Sequence, residues 1–196
     1  MTSSKEPTDI IGPIDHLPFL PHIDDVKVEE DKYTNISSNR STILFNPTIR
    51  SGIVRIEFLN VFDLDGIGIA DESVHYDRDQ WPFDKGKENI VYVRPIGKIS
   101  HIGMGFAEGN DGFHKQGQRV AIELNMDANP RTMTLFVDDK EQKIYVVGIP
   151  PAVRFWAFLL RNNSSFKILK FERLAEPTAK HSFFSSKKYE FGKEWK

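Results

Sequence analysis

The chain has 196 residues, with 26 Lys plus Arg against 28 Asp plus Glu and no cysteine. Its formal net charge of −2 lacks the basic excess of nucleic-acid binders, so no nucleic-acid partner is expected. The missing thiols exclude a disulfide framework, a cysteine nucleophile and a thiolate zinc site, and they point to a reducing compartment. The opening residues show no basic stretch followed by an apolar one, and no apolar run reaches the roughly 18 to 20 residues of a membrane span. A cytoplasmic protein without a membrane span is expected.

Residues 1–23 read as an irregular leader. Pro7, Pro13, Pro18 and Pro21 interrupt helices and central strands, while the interleaved Leu17, Phe19, Leu20 and Ile23 suit an extended strap on a core. Residues 24–175 form the expected domain, and their dominant period is two. Val54, Ile56 and Phe58 alternate with Arg55 and Glu57; Val120, Ile122, Leu124 and Met126 alternate with Arg119, Glu123 and Asn125. Met133, Leu135 and Val137 share one face of the next strand. Val153 to Leu159 is apolar on both faces, which places Trp156 in a core. Shorter strands are predicted at 43–45, 66–70, 90–94, 99–105 and 166–171, the last with a bulge where the apolar parity slips between Ile168 and Leu169.

No amphipathic helix is evident. Short strands between Gly, Pro, Asn and Asp clusters indicate an all-β antiparallel sandwich. The sequons at Asn35, Asn39, Asn162 and Asn163 read as turn chemistry. Residues 176–196 read as a disordered or loosely docked C-terminal tail; a partner-facing or membrane-facing role is the alternative, although Glu190 and Glu194 dilute its lysines.

The most informative run lies between Gly117 and Leu160. A glycine turn opens an amphipathic strand, Asp127-Ala128-Asn129-Pro130 supplies a reversal, and a second strand ends at Asp138-Asp139. After an exposed stretch, Ile149-Pro150-Pro151 leads into the strand of Trp156. This run resembles the SPRY (B30.2-like) domain family. Upstream, Asn46 to Gly52 followed by Arg55-Ile56-Glu57-Phe58 is similar to that family's Ser-Gly turn and Trp-Glu-Val strand, and Gly66 to Ala70 to its Val-Gly-Val strand. The resemblance covers about residues 24–175 and implies a concanavalin-like jelly roll. Ile56 in place of an aromatic, Asp138-Asp139 in place of Asn-Gly and Gln118 in place of an acid mark a divergent member.

No catalytic constellation accompanies this pattern. The chain has neither a G-x-S-x-G elbow nor a P-loop, and Gly103-Met104-Gly105 is followed by Glu108 where a dinucleotide fingerprint needs glycine. The six histidines lack metal-ligand spacing. His75, Asp77 and Asp79 are hard ligand types, but they lack calcium-loop spacing and sit beside Arg78, so a solvated loop is expected. Neither strand carrying Glu57 or Glu123 offers a second acid on its own face, as a glycosidase pair would need. The expectation is a non-enzyme with no cofactor and no metal.

The family resemblance implies recognition of a short peptide or loop of a partner protein by sandwich-end loops. Carried onto this sequence, the implied surface comprises the turn from Asn46 to Ser51, then Asp71, Glu72, His75, Tyr76 and Trp81, and finally Arg161, Asn162 and Asn163. Tyr76 and Arg161 are the preferred contacts, because aromatic and Arg side chains in polar loops make good anchors. The alternative for Trp81 and Phe83 is that they cap the end of the sandwich. A monomeric adaptor is expected; the second reading is a carbohydrate-binding, lectin-like domain whose aromatics stack on sugar rings.

Overall fold

The computed structural model describes residues 10–103 and 105–195, so Pro7 of the leader and Met104 lie outside the described residues. In chain order the strands are β1 (Gly12–Pro13), β2 (Leu17–Phe19), β3 (Val26–Glu29), β4 (Lys32–Asn35), β5 (Ser41–Ile49), β6 (Ile53–Phe62), β7 (Gly66–Asp71) and β8 (Ile90–Val93). They continue as β9 (Ile99–Ser100), β10 (Arg119–Asn125), β11 (Thr132–Val137), β12 (Lys140–Val147), β13 (Val153–Leu159), β14 (Ser165–Leu174) and β15 (Lys187–Glu190). Two sheets result. One runs β15-β12-β11-β10-β6-β14-β4-β3 with β1 added on β14, and the other runs β2-β5-β13-β7-β8-β9. Among the described residues, no helix is long and apolar enough to cross a membrane.

Alternation explains why these segments pair face to face. Ile56 sits opposite Ile122, and Val54 opposite Leu124, in the β6–β10 register, so one face of each strand turns inward together. These residues meet Ile43, Phe45, Ile67, Ile69, Phe155 and Ala157 of the other sheet in one buried core. Aromatic packing is dense there: Tyr33 stacks on Phe166 at 4.9 Å, and Phe58 meets Phe166 edge-on at 5.6 Å. Each fully buried Phe contributes about 2–3 kcal/mol of transfer free energy. The bulge expected in the last long strand is present, as the β6–β14 register shifts between Ile168 and Lys170.

Local chemistry sets the reversals. Asp138 (φ 47°) and Asp139 (φ 67°) both occupy the left-handed region in the two-residue turn between β11 and β12. Short acidic side chains tolerate that region, so the pair performs the task of Asn-Gly. Asp138 also accepts the Arg119 backbone N–H at 2.9 Å, tying the turn to β10.

Several segments depart from the sequence expectations. The stretch read as exposed before Ile149 contains β12, whose first half is polar although Ile144 and Val146 are buried. The 99–105 strand shrinks to β9. The leader, by contrast, does lie as an extended strap, with β1 paired on β14 and β2 on β5. The tail is docked as well. Glu123 accepts the backbone N–H groups of Thr178 and Ala179, both at 3.0 Å, β15 runs parallel to β12, and Trp195 is buried against His101 with ring centroids 5.3 Å apart.

Candidate functional site

Rows of β-sheet registers define the outer face of the six-stranded sheet. Phe19, Leu44, Trp156, Gly68, Tyr92 and Ser100 face one another in succession from β2 to β9. The adjacent row begins with Leu17 and Asn46. This face is apolar at its centre, which is why β13 reads as apolar on both sides.

Residues 72–89, between β7 and β8, lie over that centre. Val74 and Tyr76 are buried there with Leu44, Ala70, Ile90, Tyr92, Trp156 and Phe158, and Trp81 and Phe83 pack against the same cluster. Polar bonds pin this flap. Arg78 holds Asp25 through two hydrogen bonds of 2.7 and 2.8 Å, which keep the buried Asp25 carboxyl down at about 2. Arg40 takes Asp79, and Lys85 takes Asp77 at 3.0 Å. Asp77 and Asp79 are therefore spent on separate cations, Asp71 accepts from Ser73, and no group of three His, Cys, Asp or Glu able to hold a metal occurs among the described residues.

Two expectations need correction. Tyr76 is 4% exposed, and its hydroxyl donates to the Pro82 carbonyl at 2.6 Å. Burial pushes the phenol well above its ordinary value. Tyr76 is thus a packing residue of the flap and not an exposed contact. Trp81 and Phe83 stack on each other at 5.5 Å and do act as a cover, but on the sheet face and not at the sandwich end.

The remaining candidates fall into two groups at opposite ends of the seven-residue β13, about 20 Å apart at strand spacing. At its start, Asn46 accepts the Arg154 Nε–H at 2.9 Å, and Arg154 donates to the Glu72 carbonyl at 2.8 Å. Arg50 binds the Glu72 carboxylate, and Asp71 accepts the Ser73 backbone N–H at 3.0 Å. His75 is exposed, and its ring lies 6.0 Å from that of Phe19. Leu17 and Phe19 are 71% and 48% exposed beside this polar frame. Sequence reasoning placed neither in the site. Their only signal was the alternation of apolar residues with proline in the leader.

At the far end, Arg161 pairs with Asp63 at 2.8 Å, Asn162 is exposed, and Asn163 (φ 70°) donates its backbone N–H to Asn35 at 2.7 Å. Asp65 lies nearby and accepts the Leu160 N–H at 3.0 Å. Burial raises its carboxyl to about 6, against the opposing effect of that hydrogen bond.

The glycosidase test also changes in three dimensions. The β6–β10 register puts Glu57 opposite Ala121, so Glu57 and Glu123 occupy diagonal positions on one face. Both are buried. Glu57 lies 3.8 Å from both Arg55 and Arg119, while the tail covers Glu123. Neither carboxylate is open to a substrate.

No family model and no curated protein matches the chain. Solved structures do. The SPRY domain of human HERC1 superposes with a TM-score of 0.59 at 17% identity, covering 74% of this chain and 92% of that one. The PSpry domain of TRIM65 gives 0.58 at 10% identity, over 86% and 97%. Lotus tetragonolobus seed lectin gives 0.48 at 14% identity, over 83% and 94%. The fold is that of SPRY domains.

Proposed function

We propose that this chain is a non-catalytic, monomeric protein-interaction module of the cytoplasm that captures a short peptide or loop of a partner protein. The capture site is the β2 edge of the six-stranded sheet, where Leu17 and Phe19 form an apolar centre framed by Asn46, Arg50, Glu72, His75 and Arg154. The observation that carries this reading is the exposure of Leu17 and Phe19 next to polar groups already fixed by one another. An apolar centre with a polar rim is the anatomy of a protein interface, and a preformed rim lowers the ordering cost of binding. Pro18 offers no backbone N–H along β2, so side chains rather than strand addition supply the recognition. The SPRY fold of HERC1 and TRIM65 supports the same class of activity.

The test is capture of partners on the immobilised chain, run beside a glycan array. A reproducible protein partner that a synthetic peptide displaces is expected. A glycan signal with no protein partner would establish the lectin-like reading instead.

A further inference from the structure

The tail carries a feature that peptide capture at β2 does not use. Phe183 and Phe184 are each 94% exposed, and their rings meet edge-on with centroids 5.4 Å apart. They stand on a turn closed by the Ser186 N–H, which donates to the Ser182 carbonyl at 2.9 Å.

Both ends of this turn are anchored. On the incoming side, Glu141 accepts the backbone N–H groups of Lys180 (2.8 Å) and His181 (2.9 Å). The His181 ring stacks on Tyr145 at 3.8 Å, and its Nε2 is bonded to the Thr134 hydroxyl at 2.7 Å. On the outgoing side, β15 begins at Lys187 and pairs with β12. The two rings are therefore presented on a fixed apex, and little ordering entropy is lost when they engage a surface.

Charge identifies the surface. Residues 177–189 contain Lys180, Lys187 and Lys188 and no acidic residue. All three lysines are exposed, and none belongs to an ion pair among the described residues. Two neighbouring acids are engaged, Glu141 by the tail's own N–H groups and Glu190 by Lys193, and Glu176 lies before the segment. Lysine is depleted at protein–protein interfaces, whereas paired exposed aromatics flanked in the chain by exposed lysines match the boundary between acyl chains and anionic headgroups.

We propose that the Phe183–Phe184 apex is a membrane-docking tip. The two rings enter the headgroup–acyl boundary of an anionic bilayer, and Lys180, Lys187 and Lys188 contact the charged headgroups. The tip lies on the β12–β15 edge of the nine-stranded sheet, so docking leaves the β2 edge of the other sheet free, and the two readings stand or fall separately.

The experiment is co-sedimentation of the full chain with vesicles of phosphatidylcholine alone and of phosphatidylcholine containing about one-third phosphatidylserine. Binding to the second and not the first is expected. Phe183→Ser with Phe184→Ser is expected to weaken it at least about tenfold, and each Lys→Gln change about fivefold. The melting temperature of the double Ser variant is expected to match the parent, since both rings are solvent-exposed. Absence of binding to phosphatidylserine vesicles, or binding unchanged in the double Ser variant, would overturn the proposal. So would a parent chain that dimerises in sedimentation equilibrium and becomes monomeric in that variant, because the rings would then serve self-association.

Discussion

The indole of Trp156 lies directly over Gly68, and the close approach requires that position 68 carry no side chain. A Cβ placed there would come within 2.5 Å of the indole and 1.9 Å of the Val91 carbonyl oxygen. The contact lets a large aromatic ring lie against the sheet under the flap, so the packing of residues 72–89 depends on a glycine three strands into the sheet.

Gly68→Ala is expected to destabilise the chain by about 2–3 kcal/mol, because both the backbone and a fully buried indole would have to shift. Urea unfolding followed by tryptophan fluorescence measures this. A loss below about 0.5 kcal/mol would mean that the flap and Trp156 are loosely packed.

Tyr76 measures how firmly the flap is packed on the sheet. Tyr76→Phe leaves the Pro82 carbonyl without its buried donor and is expected to cost about 1–2 kcal/mol. Tyr76→Ala empties a ring-sized volume and is expected to cost about 3–5 kcal/mol. Chemical denaturation of both variants checks the order. An Ala variant of parental stability would place the ring in solvent.

Asp65 makes a distinct acid signature. Its carboxyl titrates near 6 in the folded chain because of burial, against about 3.9 when unfolded. Between those values the folded state holds the extra proton. Its contribution to stability is therefore complete below about pH 4 and is lost as the pH rises through about 6. Asp65→Asn retains an acceptor for the Leu160 N–H and is expected to be more stable than the parent at pH 8, by about 2 kcal/mol, and equal to it at pH 3.5. Thermal melts across that range test the sign. An Asn variant less stable at pH 8 would show that the charged form is favoured by its surroundings.

Much of the sandwich was legible because period-two patterning and burial have one cause: β6, β10, β11 and β13 each turn a continuous apolar face to the core. The parity slip at Ile168–Leu169 even located a bulge. β12 and β15, the last two strands on one side of the sheet, were obscured because they carry exposed lysines among their apolar residues, so their composition resembles loop. The site was harder to read. The apolar outer face of β13 was visible in Val153–Leu159, and so were the aromatics Tyr76, Trp81 and Phe83, but no local pattern says that a polar-looking loop folds over that face. Tyr76 consequently looked free when it is a cover. The exposed Leu17 and Phe19 of β2 were hidden in a proline-rich leader, where spacing alone cannot tell which apolar residues of a strap stay in solvent. Arg161 and Asn46 both flank apolar strand, and only the strand's direction reveals that they mark opposite ends.

The central claim is that the β2 edge, and not the Arg161 end, holds the partner. Its most direct test is isothermal titration of the captured partner peptide into the parent chain, into Leu17→Ala with Phe19→Ala, and into Arg161→Ala. We expect the double variant to raise Kd by about thirtyfold or more, as loss of a buried anchor does, and Arg161→Ala to stay within about threefold of the parent. Undiminished affinity in the double variant, with binding lost in Arg161→Ala, would contradict the assignment and move the site to the opposite end of β13.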